Sequence, residues 1–365
     1  MLGSIGSRHR RNIHKFVSDT YIISREERIL VTGANGFIGT RVVQTLCEYG
    51  FKNLRCFVRP SSRLDRLEVV IDKFSGEAKM ERVTGDLLSA EDCRKATEGV
   101  RVVYHLAAGF DKSFAGAVMN SVLTTRNLID AFLELGQPKR FVNISSFAVY
   151  SNVQMKRGAL LDETAPLEDS FQERCDAYGF GKLKQEELVR QYGSKRKLPF
   201  VILRPGAVFG PGKQDLSGRI GIDTFGFFIH LGGTNQLPLT YVDNCAEAIV
   251  LAGLKAGVDG ETFNVVDEEL LTSREFFRAY KRKTGISSLA LPYSVTRLLC
   301  AGWEKYSKVS HNQLPPVFNR RRCAAEWKGN RYSNQKLKDA LGWKPRVSMQ
   351  EAMTAFLGQF NGKDS

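Results

Sequence analysis

The sequence predicts an α/β protein, a doubly wound parallel sheet with a smaller C-terminal lobe. Three observations carry that prediction. Short apolar runs alternate with helical stretches as far as Arg204. A loop of spaced glycines follows the first of those runs directly. Beyond Arg204 the rhythm breaks into Gly, Pro and short apolar runs up to Thr240. With 42% hydrophobic and 25% charged residues in a chain of 365, wholesale disorder is excluded.

Residues 1–27 read as a polar extension, basic at MLGSIGSRHRRNIHKF but without the apolar core of a secretory signal. Arg28–Thr32 is a short buried strand, and a helix is expected from Thr40 to near Gly50. Further strands are read at Leu54–Val58, ending near Val83, and at Val102–Leu106, Phe141–Ile144 and Val201–Leu203. Helices at Ala115–Leu135 and Tyr178–Tyr192 lie between them, so the strands run parallel with both faces covered. Helices at Asp243–Lys255 and Ser273–Lys283 follow. The expected body is 28–204 with 238–262 returning to it; the expected substrate lobe is 205–237 with 263–365. No apolar run is long enough to span a bilayer, and the expected location is cytoplasmic.

The formal charge of +14 is unevenly spread. Arg278 to Arg346 hold 16 Lys/Arg against 3 Asp/Glu, leaving the rest nearly neutral. The seven cysteines are scattered without a CxxC pair, and the five histidines are dispersed. That argues against a disulfide framework, against a metal site, and for a reducing compartment.

Gly33, Gly36 and Gly39 form G-x-x-G-x-x-G between the first strand and its helix. Such a turn aims backbone N–H groups and the helix dipole at an anion while letting a pyrophosphate approach closely. This is the phosphate loop of a Rossmann-type sheet.

Eight motifs in order then resemble the extended short-chain dehydrogenase/reductase family, of the NAD-dependent epimerase/dehydratase type. They are Thr32-Gly33-Ala34-Asn35-Gly36-Phe37-Ile38-Gly39, Gly85-Asp86-Leu87, His105-Leu106-Ala107-Ala108 and Ser145-Ser146. Tyr178-Gly179-Phe180-Gly181-Lys182, the Arg204-Pro205 to Gly212 run, Val242-Asp243-Asn244-Cys245-Ala246 and Leu341-Gly342-Trp343-Lys344-Pro345 complete the series. The resemblance implies that Asp86 contacts adenine and that the Ala107–Ala108 backbone lies along the cofactor. It extends the cofactor contacts to Asn35, Phe37, Ile38, Leu87, Pro205 and Val208, with Tyr178 and Lys182. It also implies a small-molecule substrate and a homodimer through the Ala115–Leu135 and Tyr178–Tyr192 helices.

The second strand ends Val58-Arg59-Pro60-Ser61-Ser62-Arg63, with no carboxylate before Asp65. An acid there binds a ribose 2′-OH, whereas arginine suits a 2′-phosphate. Arg59 therefore favours NADP; arginine can also stack on adenine, so NAD stays open.

Tyr178 and Lys182, four apart, share one helix face. A nearby ammonium favours the phenolate of a tyrosine otherwise too basic to ionise near neutrality. The resemblance makes Tyr178 the proton-transfer group, Lys182 its partner and Ser146 the hydroxyl that polarises the substrate oxygen. Tyr332 and Lys336 repeat the spacing but lack a preceding strand with Ser-Ser, so they read as structural. Phe147-Ala148 replaces the Asp-Glu of 4,6-dehydratases, which disfavours dehydration. Gln236 to Val242 lacks the arginine by which nucleotide-sugar epimerases grip a diphosphate, although Arg219 or Arg331 is available. Ser121, next to Asn120, stands where the family carries asparagine, and Phe209 replaces a tyrosine.

Within 291–331, Val295, Leu298, Leu299, Trp303 and Tyr306 recur at helical spacing before Leu314-Pro315-Pro316 and Arg320-Arg321-Arg322. One reading is a helix roofing the pocket with its basic face in water. The other is a peripheral membrane contact on anionic lipid, near which a sterol-like substrate could enter. This segment resembles that of hydroxysteroid dehydrogenase-like members. No nucleic-acid motif accompanies the charge. The expected function is hydride transfer between NAD(P) and a secondary alcohol or ketone of a sugar derivative or sterol-like lipid. A nucleotide-sugar epimerase with bound NAD is the alternative, and a silent cofactor-binding scaffold is a third.

Overall fold

The computed structural model describes residues 21–109, 113–213, 218–224, 226–310, 313–314 and 316–360. Residues 1–20 of the expected extension, and Pro315 of the expected helix break, lie outside the described residues.

Seven strands form the main sheet. They are β1 (Ile29–Thr32), β2 (Asn53–Val58), β3 (Lys79–Thr84), β4 (Val102–His105), β5 (Arg140–Ile144), β6 (Phe200–Pro205) and β7 (Thr262–Val265). Their order is β7-β6-β5-β4-β1-β2-β3, and every pairing is parallel. Strand order reverses between β1 and β4. Ligands of such sheets bind at that switch point, outside the carboxyl ends of the strands.

Period-two alternation sorts the side chains onto two faces. Leu30, Val103, Phe141 and Ile202 meet Cys93, Leu128, Phe132 and Val189 from the helices Ala90–Thr97, Thr124–Leu135 and Ala177–Arg196. Their neighbours Ile29, Val31, Val102, Val142 and Val201 meet Val42 and Leu46 of Phe37–Glu48 and most of the apolar residues of Val242–Leu254. The latter helix is buried nearly throughout, which explains its almost uninterrupted apolar sequence.

The expected domain boundary at 262/263 falls inside β7, which joins the sheet edge beside β6. Leu337, Leu341, Trp343, Met353 and Phe356 also share the larger core, and the Trp343 indole N–H donates to the Asn244 carbonyl at 3.2 Å. The lobe beyond the body has a three-stranded sheet of Gly221–Thr224, Phe227–His230 and Ser287–Ala290, with Leu231, Cys300, Cys323 and Trp327 as its own cluster.

Two elements depart from the expected pattern. The single helix read at Ala115–Leu135 is Phe114–Ala117, a π-helical Val118–Leu123 and Thr124–Leu135. The π-turn shifts the facing: Ser121 is buried against the Ala177–Arg196 helix and Asn120 turns to the cavity described below. The helix Tyr293–Val309 buries Thr296, Cys300 and Ser307 and presents the apolar stripe outward, with Leu298 73% and Val309 69% exposed. The face turned to the protein carries small side chains, while Trp303 of the stripe packs on Phe318.

Part of the basic segment's charge is paired. Arg321 meets Glu168 and Glu173, Arg346 meets Glu247, and Lys336 and Lys338 meet Glu261 and Glu268.

Candidate active site

A cavity of about 930 Å³ opens at the switch point, and every residue assigned above to cofactor or catalysis lines it. Its floor is the glycine loop. Gly33 has φ +67°, and an added Cβ there would lie 3.0 Å from the Ala107 nitrogen. At Gly39 an added Cβ would lie 2.0 Å from the Gly33 carbonyl oxygen, so only hydrogen lets the helix Phe37–Glu48 close on its own loop. That helix has no side-chain cap at Gly36, which leaves its first N–H groups facing the cavity.

Arg59 and Ser62 line one end of the cavity, where the Arg59 N–H donates to Ser62 Oγ at 3.2 Å. Asn35 Nδ2 donates to the Arg63 carbonyl at 3.2 Å and ties the two loops together. Opposite them, Asp86 Oδ1 accepts from the Leu88 N–H at 2.9 Å.

Ser146 leaves β5 as the N-cap of a short 3₁₀ turn, Phe147–Val149. Tyr178 stands in the first turn of Ala177–Arg196 and lines the cavity with Ser146. Burial pushes the Tyr178 phenol up to about 12, against the lowering effect of the Ser146 hydroxyl; the Asp176 carboxylate adds to the rise. Burial brings Lys182 down to about 8, and the neighbouring Glu186 carboxylate opposes that fall. Lys182 Nζ donates to the Ile144 carbonyl at 2.6 Å and to Gln185 Oε1 at 3.1 Å. With three N–H donors, that leaves one for a ligand.

A buried polar chain fixes this lysine. Gln185 Nε2 donates to Thr125 Oγ1 at 2.7 Å, and Thr125 gives its own proton to the Ser121 carbonyl. His105 Nε2, 2.9 Å from Thr125 Oγ1, must therefore be the donor. His105 Nδ1 then accepts from Thr32 Oγ1 at 2.8 Å, and Thr32 accepts from the Ala107 N–H at 3.3 Å. Burial, with Lys182 nearby, drives His105 down to about 3, so it stays neutral as this chain requires.

The second Tyr-x-x-x-Lys copy lies elsewhere. Tyr332 packs on the Phe147 ring at 5.7 Å, and Lys336 pairs with Glu261 at 2.7 Å. Arg219 and Arg331 are held by carbonyls of Ala325 and Gly158, and neither lines the cavity. Sequence reasoning chose Ser146 over Ser145 and did not single out Lys213; both Ser145 and Lys213 also line the cavity. The Ser145 hydroxyl is buried with no protein partner among the described residues. Its position at the end of β5 was the available signal. Among the described residues no cluster could hold a metal ion, and no helix is long and apolar enough to cross a membrane.

A parallel sheet with a glycine loop at its switch point, and a Ser-Tyr-Lys set on the facing wall, defines a nicotinamide-dinucleotide enzyme of the Rossmann type. The chain belongs to the NAD dependent epimerase/dehydratase family, whose model matches residues 29–265. It is accordingly an enzyme of the NAD-dependent oxidoreductase/epimerase class, with the extended short-chain dehydrogenase/reductase fold. It is 26% identical over 360 residues to the 3beta-hydroxysteroid-dehydrogenase/decarboxylase isoform 2 of Arabidopsis thaliana, covering 92% of this chain and 62% of that protein. It is 25% identical to the human sterol-4-alpha-carboxylate 3-dehydrogenase, decarboxylating, over 92% of this chain and 89% of that one. Among solved structures, the Bacillus cereus UDP-glucuronic acid 4-epimerase in complex with NAD superposes with a TM-score of 0.67 at 22% identity, over 91% of this chain and 98% of that chain. The last likeness speaks to fold alone.

Proposed function

We propose that this enzyme moves hydride between NADP(H) and a secondary alcohol or ketone on a sterol-like, lipid-borne substrate. The carrying observation is that Ser146, Tyr178 and, one helical turn on, the buried Lys182 line the same cavity as the glycine loop. The cradle fits a dinucleotide, since Cβ atoms at Gly33 and Gly39 would meet backbone. When bound, the nicotinamide supplies the hydride acceptor or donor. Gly33, Gly36 and Gly39 would hold the pyrophosphate, Asp86 the adenine, and Lys182 the nicotinamide ribose. Ser146 would donate to the substrate oxygen. In the oxidative direction Tyr178 would take the hydroxyl proton while the C–H hydrogen leaves as hydride; in reduction it would return that proton.

Support for the sterol-like class comes from relatives named as hydroxysteroid and sterol-carboxylate dehydrogenases. The engagement of Arg219 and Arg331 elsewhere weighs against a sugar diphosphate. The decisive assay is absorbance at 340 nm with a 3β-hydroxysteroid and NADP⁺. Net turnover supports the reading; tightly retained NAD with no net absorbance change, and interconversion of a UDP-sugar, would replace it with the epimerase alternative.

Arg59 and Ser62, with no acid before Asp65, support NADP over NAD. Arg59→Ala should weaken NADPH binding about 10- to 100-fold, the worth of one charged hydrogen bond, and change NADH binding less than about threefold. Fluorescence titration of both cofactors checks it, and equal losses would remove Arg59 from phosphate recognition.

Seven free cysteines support a reducing, cytoplasmic location. The exposed Val118 and Met119 beside the Ala177–Arg196 helix support a homodimer there, to be checked by sedimentation. The exposed Val295, Leu298, Leu299, Tyr306 and Val309, with Arg297, Lys305 and Lys308 on the same helix, support peripheral contact with anionic lipid. Leu298→Glu with Leu299→Glu should cut co-sedimentation with phosphatidylserine vesicles at least about 10-fold, since two leucines lose apolar burial. Unchanged binding would eliminate the contact.

A further inference from the structure

Ser146 and Tyr178 come from different elements, and acting together on one substrate oxygen demands a fixed relation between the turn after β5 and the first turn of Ala177–Arg196. Arg174 lies between those elements, and its side chain is almost wholly buried. Its guanidinium donates to the carbonyls of Ala148 and Tyr150, the latter at 2.9 Å. These carbonyls belong to the 3₁₀ turn that Ser146 caps and to the residue that ends it. The same guanidinium donates to Asp176 Oδ2 at 2.6 Å, while Asp176 Oδ1 caps the catalytic helix by accepting from the Gly179 N–H at 2.8 Å. The Phe171 ring closes one face at 4.8 Å. Glycine at 179 is part of the arrangement, because an added Cβ would lie 2.6 Å from both Arg174 Nη2 and Asp176 Oδ2.

A buried guanidinium needs counter-charge; Asp176 supplies one at 2.6 Å, and a second carboxylate comes from further along the chain. The Glu168 side chain is 1% exposed, with one oxygen 3.4 Å from Arg174 and the other 2.7 Å from Arg321 of the helix Arg320–Trp327. Arg321 also holds Glu173 at 2.8 Å. The C-terminal basic segment thus ends in a charge ladder, Arg321–Glu168–Arg174–Asp176, that reaches the first turn of the tyrosine helix.

We infer that Arg174 is a positioning residue which locks the Ser146 turn to the Tyr178 helix, and that Arg321 completes the lock from the C-terminal segment. The inference rests on the proposed roles of Ser146 and Tyr178. Its physical content is the planar fork: two carbonyls and a carboxylate are met at once, which a lysine's point charge does not reproduce.

The test uses the full chain, with a 3β-hydroxysteroid and NADP⁺ as the probe reaction. Arg174→Lys keeps the buried charge; it should lower kcat about 10²-fold, the cost of a small misplacement of reacting groups, while NADPH affinity stays within about threefold. In a Ser146→Ala background the same change should cost less than about threefold, because what it positions is already gone. Arg321→Gln, at the partly exposed end of the ladder, should lower kcat about 10-fold with the same coupling. Hydrogen exchange of the NADPH complex, which needs no substrate, should show lost protection confined to peptides 146–152 and 176–182. Full kcat in Arg174→Lys, an undiminished cost in the Ser146→Ala background, or unchanged exchange in those peptides would each overturn the lock. Tyr178→Phe run alongside separates the two levels: activity surviving there overturns the reading beneath the inference, whereas its loss with an active Arg174→Lys overturns the inference alone.

Discussion

Tyr178→Phe should lower turnover about 10²- to 10⁴-fold, the range carried by a positioned proton-transfer group, and leave cofactor affinity nearly unchanged. The substitution removes one oxygen. The ring still fills its site at the start of Ala177–Arg196, and Lys182 keeps its bonds to Ile144 and Gln185. The Ser146 hydroxyl keeps the Ala148 N–H, so the turn stays formed. The loss should therefore fall on kcat, with NADPH titration and thermal unfolding close to wild type. A phenylalanine enzyme with full turnover would show that the proton leaves by another route, with the Ser145 hydroxyl, unpartnered among the described residues, a candidate lining the same cavity.

The glycine-loop wall of the cavity was readable because it is written in backbone geometry. Glycine is the residue that permits a positive φ at 33 and a 2.0 Å approach at 39, so the spacing, set between a strand and a helix, encoded the turn. The two Tyr-x-x-x-Lys copies were separable because only Tyr178 follows a strand ending in Ser-Ser. β7 was harder. Thr262-Phe263-Asn264-Val265 is short and half polar, and its place depends on pairing with β6 and on Asn264 accepting from the Tyr150 hydroxyl at 2.7 Å. Periodicity located the apolar stripe of Tyr293–Val309 but not which side of it is inside; Thr296, Cys300 and Ser307 take the inner face because they fit it closely. Arg174 gave no signal at all. An arginine in Glu173-Arg174-Cys175-Asp176 looks like any surface charge until the turn after β5 folds over it.

Glu186→Gln should destabilise the enzyme by about 3–5 kcal/mol, the usual cost of breaking a buried ion pair by removing one partner. Glu186 meets Arg204 with both oxygens, at 2.9 and 2.7 Å, and both side chains are almost wholly buried. A glutamine retains the shape and one acceptor but leaves the guanidinium without its counter-charge. Arg190 at 3.5 Å loses the same partner, and Tyr150 at 2.9 Å, a phenol raised by burial, supplies no negative charge in its place. Urea unfolding measures this loss. The second consequence is chemical, and its sign follows from charge. The Glu186 carboxylate holds the Lys182 ammonium up against burial, so removing it lowers the lysine below its value of about 8. In ketone reduction the protonated lysine stabilises the phenolate left when Tyr178 gives up its proton. Reduction by the wild type should therefore be level below about pH 8 and fall above it as Lys182 loses its proton, and in Glu186→Gln that falling limb should move to lower pH. Oxidation starts from the phenolate, so loss of the ammonium opposes it on the same alkaline side. A pH profile of kcat/KM for reduction, taken at urea-free stability sufficient to keep the variant folded, separates the two effects. A limb that stays in place while stability falls would leave Glu186 a purely structural partner of Arg204; a limb that moves down assigns it the charge balance of the active-site lysine as well.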